Sequence, residues 1–368
     1  MMTTTSFRVH CNYDFAVDLS SADRDRATRL HNECVFWNVC DSTDQAYADE
    51  TYISKIKNSG ITAINHTVAY SMSFKEAVRS IATWSKLYEA NPDVGFIARN
   101  YADIALAKES GRTAIFMGFQ DIVSLEDDIS LLSVFHNFGI RWVQPTYQYR
   151  NLAGDGCGER IQSGLSHFGV RLINELNRLR IVIDVSHVGI GTTLEIIERS
   201  AHPVMATHCG AAGLVNTPRN KTDEVIKSLA AKGGVIGIAA KSGFLKSNGL
   251  QTGSTMDDFV DHVEYVRDLV GIEHVCIGTD IGDERKYTVE RMRAFHSKYP
   301  EVAIIGDGLR TDIMHTAGVG PGTLYNVTAG LVKRGFSDQD IRLVLGENVN
   351  RVLRQIWTTC DEVARKKC

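Results

Sequence analysis

Eight short apolar runs lie between residues 33 and 280, and stretches with a helical pattern separate most of them. The runs occupy residues 33–40, 61–69, 113–120, 140–147, 181–187, 204–208, 233–240 and 274–280. Near-continuous apolar runs that alternate with helices are typical of a parallel sheet covered by helices. A count of eight matches the closed (β/α)8 barrel, or TIM barrel, and predicts barrel strands over about 33–280.

An open doubly wound sheet is the main alternative to a barrel. The sequence contains neither G-x-G-x-x-G nor G-x-x-x-x-G-K-[ST], so the nucleotide-binding folds of that class lose their usual support. A last helical segment, at about 323–357, is expected to pack on the barrel. Because no change of composition resembles a linker, we expect residues 1–368 to form a single domain.

The composition narrows the range of partners. Of the 368 residues, 43% are hydrophobic and 23% are charged, and a net charge of −4 leaves no basic surplus for binding phosphates. No segment reaches the length of a transmembrane helix, and the N-terminus lacks the apolar core of a signal peptide. The eight cysteines form no C-x-x-C pair, which favours reduced thiols. We therefore expect a cytoplasmic protein that binds a small molecule and neither nucleic acid nor membrane. We also expect a homodimer.

Polar residues stand at the carboxyl ends of the predicted strands, where TIM barrels have their active sites. In chain order they are Asn38 with Cys40, His66, Gln120, Tyr147 with Gln148, His187, His208, Lys241 and Asp280. His187 and His208 end the two strands of one β-α-β unit, which places both imidazoles at the same edge of the sheet. A single histidine at a strand end is often structural, but two that converge suggest a metal site. The set as a whole indicates a metallo-hydrolase.

Four short segments resemble the membrane (renal) dipeptidase family, a branch of the amidohydrolase-like metallo-barrels. They are Ile183-Asp-Val-Ser-His187, Thr207-His208 with Asn216-Thr-Pro-Arg219-Asn220, Gly233-Gly-Val-Ile-Gly237, and Gly278-Thr-Asp280. The resemblance spans roughly residues 33–357. Family members typically hold two zinc ions. The resemblance implies that His187 and His208 bind one ion, and that Asp280 lies beside the other and orients or deprotonates the attacking water.

The resemblance also implies the substrate contacts. Arg219 would clamp the substrate carboxylate through its planar guanidinium group, with Asn220 beside it in the same motif. Tyr147 aligns with a substrate-facing histidine of the family, and Cys40 aligns with a histidine ligand on the first strand. We expect Tyr147 and Cys40 to contact the substrate in this chain.

Two departures from the family pattern concern the metal ligands. The family's first strand ends in Asp-x-His-x-Asp, whereas the aligned residues here read Asn38-Val-Cys40-Asp-Ser42. Gln120 aligns with the carboxylate that bridges the two ions. Without these negative ligands, two dications close together would repel each other with little to offset the repulsion. We therefore predict at most one tightly bound zinc ion, held by His187 and His208, with Asp280 or Gln120 completing the shell.

The resemblance implies a metal-dependent hydrolase that cleaves an amide or peptide-like bond in a small carboxylate-bearing substrate, of the dipeptide or acyl-amino acid type. Asp280 would act as general base and then as general acid. Two other functions stay open at this point. A barrel with one metal ion or none could catalyse a lyase or isomerase step on an amino-acid-derived metabolite, and a non-catalytic member could only bind its ligand. The fold alone does not choose among them.

Overall fold

A computed structural model describes residues 13–302 and 310–357 of the chain. The strands in these ranges are β1 (Trp37–Asp41), β2 (Ala63–Ala69), β3 (Gly95–Ile97), β4 (Thr113–Phe119), β5 (Ile140–Val143), β6 (Val182–Ile183), β7 (Met205–Cys209), β8 (Val235–Ile238) and β9 (Val275–Ile277). Each of the eight predicted runs overlaps one strand, and β3 is the additional one.

Eight of the strands form one parallel barrel. The strands β1, β2, β4, β5 and β6 pair in that order, and β7, β8 and β9 pair in a second series. A parallel bridge between Asp184 and Met205 joins β6 to β7, and a parallel bridge between Asp41 and Ile281 joins β9 back to β1. The predicted (β/α)8 barrel is therefore confirmed.

The strand β3 was not predicted. It pairs with the first half of β4, with Gly95 opposite Thr113 and Ile97 opposite Ile115. The second half of β4 pairs with β5 from Met117 onward, so β3 does not take part in the barrel ring. Two of its three residues, Phe96 and Ile97, are only partly buried, so β3 lacks the complete burial that marks the barrel strands.

The helices cover the barrel and extend the chain beyond it. They are α1 (Ser21–Glu33), α2 (Glu50–Asn58), α3 (Phe74–Ala90), α4 (Ala102–Ser110), α5 (Leu131–Phe138), α6 (His167–Arg178), α7 (Ile190–Arg199), α8 (Asp223–Ala231), α9 (Ser242–Leu245), α10 (Gly249–Thr252), α11 (Met256–Val270), α12 (Val289–Lys298), α13 (Tyr325–Lys333), α14 (Asp338–Arg342) and α15 (Asn348–Trp357). A π-helical stretch, Leu343–Glu347, connects α14 to α15. Of the helices in residues 13–302 and 310–357, none has the length and hydropathy that crossing a bilayer requires.

The last helix, α15, closes the amino end of the barrel. Its buried residues Val352 and Leu353 belong to the same apolar cluster as Trp37 and Phe116, which point into the barrel from β1 and β4. Trp357 stacks on Phe116 with the ring centroids 5.2 Å apart. The predicted packing of the segment 323–357 on the barrel is thus observed, and the carboxyl end of the barrel is the end left for a site.

Gly278, directly after β9, lies against the backbone of β7 inside the barrel. A Cβ atom on Gly278 would stand 1.7 Å from the carbonyl oxygen of Thr207 and 2.9 Å from Cγ2 of Val39. Because backbone at that distance must move, we expect Gly278→Ala to lower the free energy of unfolding by about 1–3 kcal/mol or more. Urea unfolding followed by circular dichroism measures the change.

Gly320→Ala is the matched control for this prediction. Among the described residues, a Cβ atom on Gly320 would meet the Thr323 hydroxyl alone, at 3.5 Å. Equal losses of stability in the two variants would contradict the prediction, as would an unchanged midpoint for Gly278→Ala.

Candidate active site

The carboxyl ends of the barrel strands open into a cavity of about 410 Å³. From the strand ends and the loops after them, it is lined by Ser42, Thr67, Gln120, Tyr147, His187, Arg219, Lys241 and Asp280. The region around α12 supplies Lys286, Tyr287, Arg291, Phe295 and Tyr299. Three residues that the sequence assigned to the site, Cys40, His208 and Asn220, lie behind this lining. The volume is typical of a site for a small molecule.

His208 is fully buried at the end of β7, and a hydrogen-bond chain sets which of its nitrogens carries the proton. The Thr207 hydroxyl donates to Asp184 at 2.7 Å, so it accepts from His208 Nδ1, also at 2.7 Å. His208 Nε2 is then the unprotonated nitrogen, and it has no hydrogen-bond partner among the described residues. Burial lowers the pKa of His208 to about 4, so the ring is neutral near pH 7. A neutral imidazole with a free lone pair is the form that binds a metal ion.

His208 shares a cluster with Cys40 and Asp280, in which the three ligand atoms lie within 4.8 Å of one another. The Cys40 Sγ atom lies 3.9 Å from Asp280 Oδ1, and burial raises the pKa of Cys40 well above its usual value. Burial would also raise the pKa of Asp280, but the nearby positive groups, Lys241 above all, lower it to about 2. The cluster thus contains a neutral imidazole, a protonated thiol and an ionised carboxylate.

His187 lies beside His208 but outside this cluster. The two ring centroids are 4.9 Å apart, and Tyr147 stacks on the His187 ring at 4.3 Å. The buried His187 Nδ1 has no hydrogen-bond partner in the described part of the chain. Burial lowers the pKa of His187 well below its usual value and raises that of Tyr147 well above it, so both side chains are neutral near pH 7. The two imidazoles therefore converge as the β-α-β unit predicted.

Arg219 is only 2% exposed, and its guanidinium group is held in place on the wall of the cavity. Its Nη2 atom donates to the carbonyl oxygen of His208 at 3.3 Å, and the group lies 4.8 Å from the centroid of the Phe244 ring. The buried Nε atom has no hydrogen-bond partner among the described residues. A fixed guanidinium group with donors left over suits an anionic ligand.

Asn220 has surroundings that do not fit the predicted contact with substrate. Its Oδ1 atom accepts a hydrogen bond from the backbone nitrogen of Gly210 at 2.8 Å. Its Nδ2 atom donates to the carbonyl oxygens of Val215 at 2.7 Å and of Phe244 at 2.8 Å. Because these backbone groups engage the whole amide, Asn220 fixes the loop that carries Arg219 and leaves the cavity to Arg219 itself.

Two lysines place their ammonium groups in the cavity. Lys241, which the sequence left open as a salt-bridged barrel residue or a substrate contact, donates to Tyr287 Oη at 3.2 Å and lies 3.7 Å from Asp280 Oδ2. Burial alone would lower the pKa of Lys241, but Asp280 raises it above its usual value. Lys286 donates to the carbonyl oxygen and the hydroxyl of Ser42. The sequence did not single out Lys286 because it follows β9 in a loop and ends no strand.

The donors of the cavity suit one divalent cation and do not suit two. Two neutral imidazoles, His187 and His208, and the carboxylate of Asp280 are an acceptable catalytic ligand set. Gln120 offers no bridging anion, since its side chain is a neutral amide, and the amide Nε2 donates to Cys40 Sγ at 3.3 Å and to the Thr67 hydroxyl at 3.0 Å. The ammonium group of Lys241 already neutralises Asp280 and would repel a second dication.

Comparison with known proteins gives the family. Residues 5–304 match the family model described as membrane dipeptidase (peptidase family M19). The dipeptidase tcpJ of Claviceps purpurea is 26% identical over 364 residues, which are 95% of this chain and 74% of that protein. An amidohydrolase from Pseudomonas aeruginosa is 35% identical with a TM-score of 0.80, covering 90% of this chain and 99% of that one.

A further solved structure extends the comparison. A metallopeptidase from Rhodobacter sphaeroides, solved with a phosphinate mimic of the dipeptide L-Ala-D-Ala, has a TM-score of 0.71 at 17% identity. It covers 88% of this chain and 100% of that one, and at this identity it shows the shared fold. The family match spans most of the barrel, and the resemblance drawn from four short segments is confirmed. The chain belongs to the membrane dipeptidase family, a family of metallopeptidases, and is a dipeptidase-like hydrolase.

Proposed function

We propose that this protein hydrolyses the amide bond of a dipeptide or an acyl-amino acid with a free carboxylate, and that it uses one zinc ion per chain. The observation that carries the proposal is His208, whose buried Nε2 has no partner in the described residues and whose ring offers a ligand atom within 4.8 Å of those of Asp280 and Cys40. The dipeptide mimic bound by the Rhodobacter sphaeroides relative supports a substrate of this size and chemistry.

We assign His187, His208 and Asp280 as the residues that would hold the ion. Gln120 is left out because its side chain is a neutral amide, whose Nε2 donates to Cys40 and Thr67, and it brings no negative charge to a dication. A bound divalent ion supplies Lewis acidity, which polarises a carbonyl group or lowers the pKa of a water molecule. Asp280 accepts the proton of the attacking water on a carboxylate oxygen and returns it to the leaving amine.

Arg219 and Tyr147 orient the substrate in this proposal. Arg219 binds the carboxylate, and the neutral phenol of Tyr147, stacked on His187, can donate a hydrogen bond at the mouth of the metal site. Holding the reacting groups in place in this way is itself a large part of catalysis. Cys40 stands behind Gln120 and Asp280 as a protonated thiol, so we assign it to the wall of the site instead of to the substrate.

A substrate panel tests the proposal. It contains dipeptides, acyl-amino acids and cyclic amides, each assayed with the metal-stripped protein and after addition of Zn²⁺ or another divalent ion. We expect hydrolysis of carboxylate-bearing dipeptides or acyl-amino acids that depends on the added metal. Turnover without release of an amine would point to a lyase or isomerase, and binding without turnover would point to a non-catalytic member.

Arg219→Lys tests the substrate clamp. The substitution keeps the positive charge and removes the planar fork, so it loses one of two parallel hydrogen bonds to a carboxylate. We expect kcat/KM to fall about tenfold or more on the substrate that the panel identifies, which corresponds to about 1.4 kcal/mol. Steady-state kinetics give the number.

Two controls accompany Arg219→Lys. The first uses the same substrate with its carboxylate converted to an amide, on which the wild type and Arg219→Lys should have similar kcat/KM values. Arg310→Lys makes the same exchange on an exposed arginine and should keep wild-type kinetics. Unchanged kcat/KM in Arg219→Lys would remove Arg219 from the proposed clamp.

A further inference from the structure

The cavity carries more positive charge than one substrate carboxylate requires. Among its described lining residues, the basic ones are Arg219, Lys241, Lys286, Arg291 and Lys298, and Asp280 is the acidic one. Arg291 is neutralised by Asp44 at 2.6 Å, and Lys241 lies 3.7 Å from Asp280. Within the described residues, Lys286 has no carboxylate within 4.0 Å. An unbalanced cation in a cavity of this kind raises the local concentration of anions.

Lys286 is fixed with one donor to spare. Its ammonium group donates to the carbonyl oxygen of Ser42 and, at 3.1 Å, to the Ser42 hydroxyl. An ammonium group has three N–H donors, so one remains for a ligand in the cavity. A side chain that its own protein already orients loses less conformational entropy when it binds.

The ammonium groups of Lys286 and Lys241 lie near the same aromatic ring, that of Tyr287. Their Nζ atoms lie 5.4 Å and 4.9 Å from the centroid of the Tyr287 ring, and Tyr287 Oη accepts from Lys241. We call Lys241, Lys286 and Tyr287 the lysine pocket. Lys241 lies beside Asp280 and also contacts His315 Nε2 at 3.1 Å, so Lys286 is the ammonium group of this pocket that is left to attract an anion.

Lys286 and Arg219 are placed to contact different parts of a ligand. Arg219 is tied to the carbonyl oxygen of His208 on β7, whereas Lys286 is tied to Ser42 after β1. The ring order β7, β8, β9, β1 puts three strand spacings, roughly 14 Å along the barrel wall, between the anchors of Arg219 and Lys286, His208 and Ser42. One carboxylate held at Arg219 therefore leaves the lysine pocket for a second anionic group.

We propose that the lysine pocket binds a second anionic group of the substrate, a side-chain carboxylate, so that the preferred substrates are acidic dipeptides or acyl-amino acids. The inference rests on the proposed function, which places the first carboxylate at Arg219. It makes Lys286 a specificity-determining residue, separate from the residues that carry out the hydrolysis.

Matched pairs of dipeptides test this proposal. Glu-Ala is compared with Gln-Ala and Ala-Glu with Ala-Gln, because each pair differs by one charge at nearly constant shape. We expect kcat/KM of the acidic member to exceed that of its amide by about tenfold or more in at least one pair, as for one charge-assisted contact. Lys286→Gln should remove most of that ratio, and Lys286→Arg should keep it, which separates loss of the charge from loss of the fold.

Lys57→Gln is the matched control variant. Lys57 lies on the surface with 63% of its side chain exposed, so the same change of charge there should leave the ratio intact. A ratio near one in the wild type for both pairs would overturn the proposal. An acidic preference that survives in Lys286→Gln would overturn it equally.

A binding experiment separates failure of this inference from failure of the proposed function. If neither a dipeptide nor an acyl-amino acid is hydrolysed, the proposed function fails, and calorimetry with glutarate and glutaramate then tests the lysine pocket by itself. The two probes have the same length and differ by one carboxylate. Glutarate bound about tenfold more tightly, with the difference lost in Lys286→Gln, supports the pocket, and equal affinities overturn it.

Discussion

Asp280→Asn is expected to lower kcat about 10²- to 10⁴-fold on the substrate that the panel identifies, the usual contribution of a general acid–base residue. The carboxylate lies in the cluster with His208 and Cys40, and the pKa of about 2 keeps it ionised near pH 7. An amide of the same shape can accept a hydrogen bond from water but cannot take its proton. Stopped assays at saturating substrate measure kcat directly.

Loss of stability must be separated from loss of chemistry in this variant. Asp280→Asn also removes the carboxylate that lies 3.7 Å from the ammonium group of Lys241, and an uncompensated buried charge destabilises a protein. We therefore expect a lower Tm for Asp280→Asn and recovery of that Tm in the double variant with Lys241→Met. Activity should stay low in both. A kcat within tenfold of the wild type in the single variant, or recovery of kcat in the double variant, would contradict the role of Asp280.

The strands were predictable because each barrel strand is a short run of buried residues. In β4, from Thr113 to Phe119, all seven residues are buried, and β7 and β8 are buried throughout as well. An apolar run reports this burial directly. The strand β3 lies outside the barrel ring, and its residues Phe96 and Ile97 are only partly buried, so it does not carry the same signal.

The site was less predictable because closure of the barrel brings distant residues together. Cys40 and Asp280 are 240 positions apart, yet their side chains lie 3.9 Å apart because β9 returns to pair next to β1. The hydrogen bond from Lys286 to Ser42 joins residues 244 positions apart. The pattern of residues within a short segment cannot predict contacts between residues so far apart in the sequence.

Asn220 shows the converse difficulty. Its place beside Arg219 in one motif predicted a contact with substrate, but the backbone groups of Gly210, Val215 and Phe244 engage its amide. Two residues that are adjacent in sequence can lie in one loop while their side chains point in different directions. The shape of the loop therefore decides which of the two side chains faces the cavity.

The protein purified without added metal is expected to contain at most one equivalent of tightly bound divalent metal, zinc in our proposal. His208→Ala should lose that metal on dialysis, since it removes the unprotonated Nε2, and His187→Ala should weaken its binding. Elemental analysis by mass spectrometry gives the stoichiometry. His167→Ala, on the exposed start of α6, serves as the control. Two equivalents of metal in the wild type would contradict the ligand count. Metal that is retained in His187→Ala but lost in Cys40→Ser would contradict it as well.

Thr207 gives this prediction a sharper form, because it controls the proton on His208. Its hydroxyl donates to Asp184 and so accepts from His208 Nδ1, which leaves Nε2 free to bind metal. Thr207→Val removes that acceptor and leaves Asp184 Oδ2, at 3.8 Å and beyond hydrogen-bond distance, as the carboxylate near Nδ1. We expect it to lower the metal affinity about 10- to 100-fold, the usual cost of losing such a supporting contact, and Thr207→Ser to retain it. Competition with a chelator measures both affinities, and equal values for Thr207→Val and Thr207→Ser would show that the hydroxyl does not direct the ring.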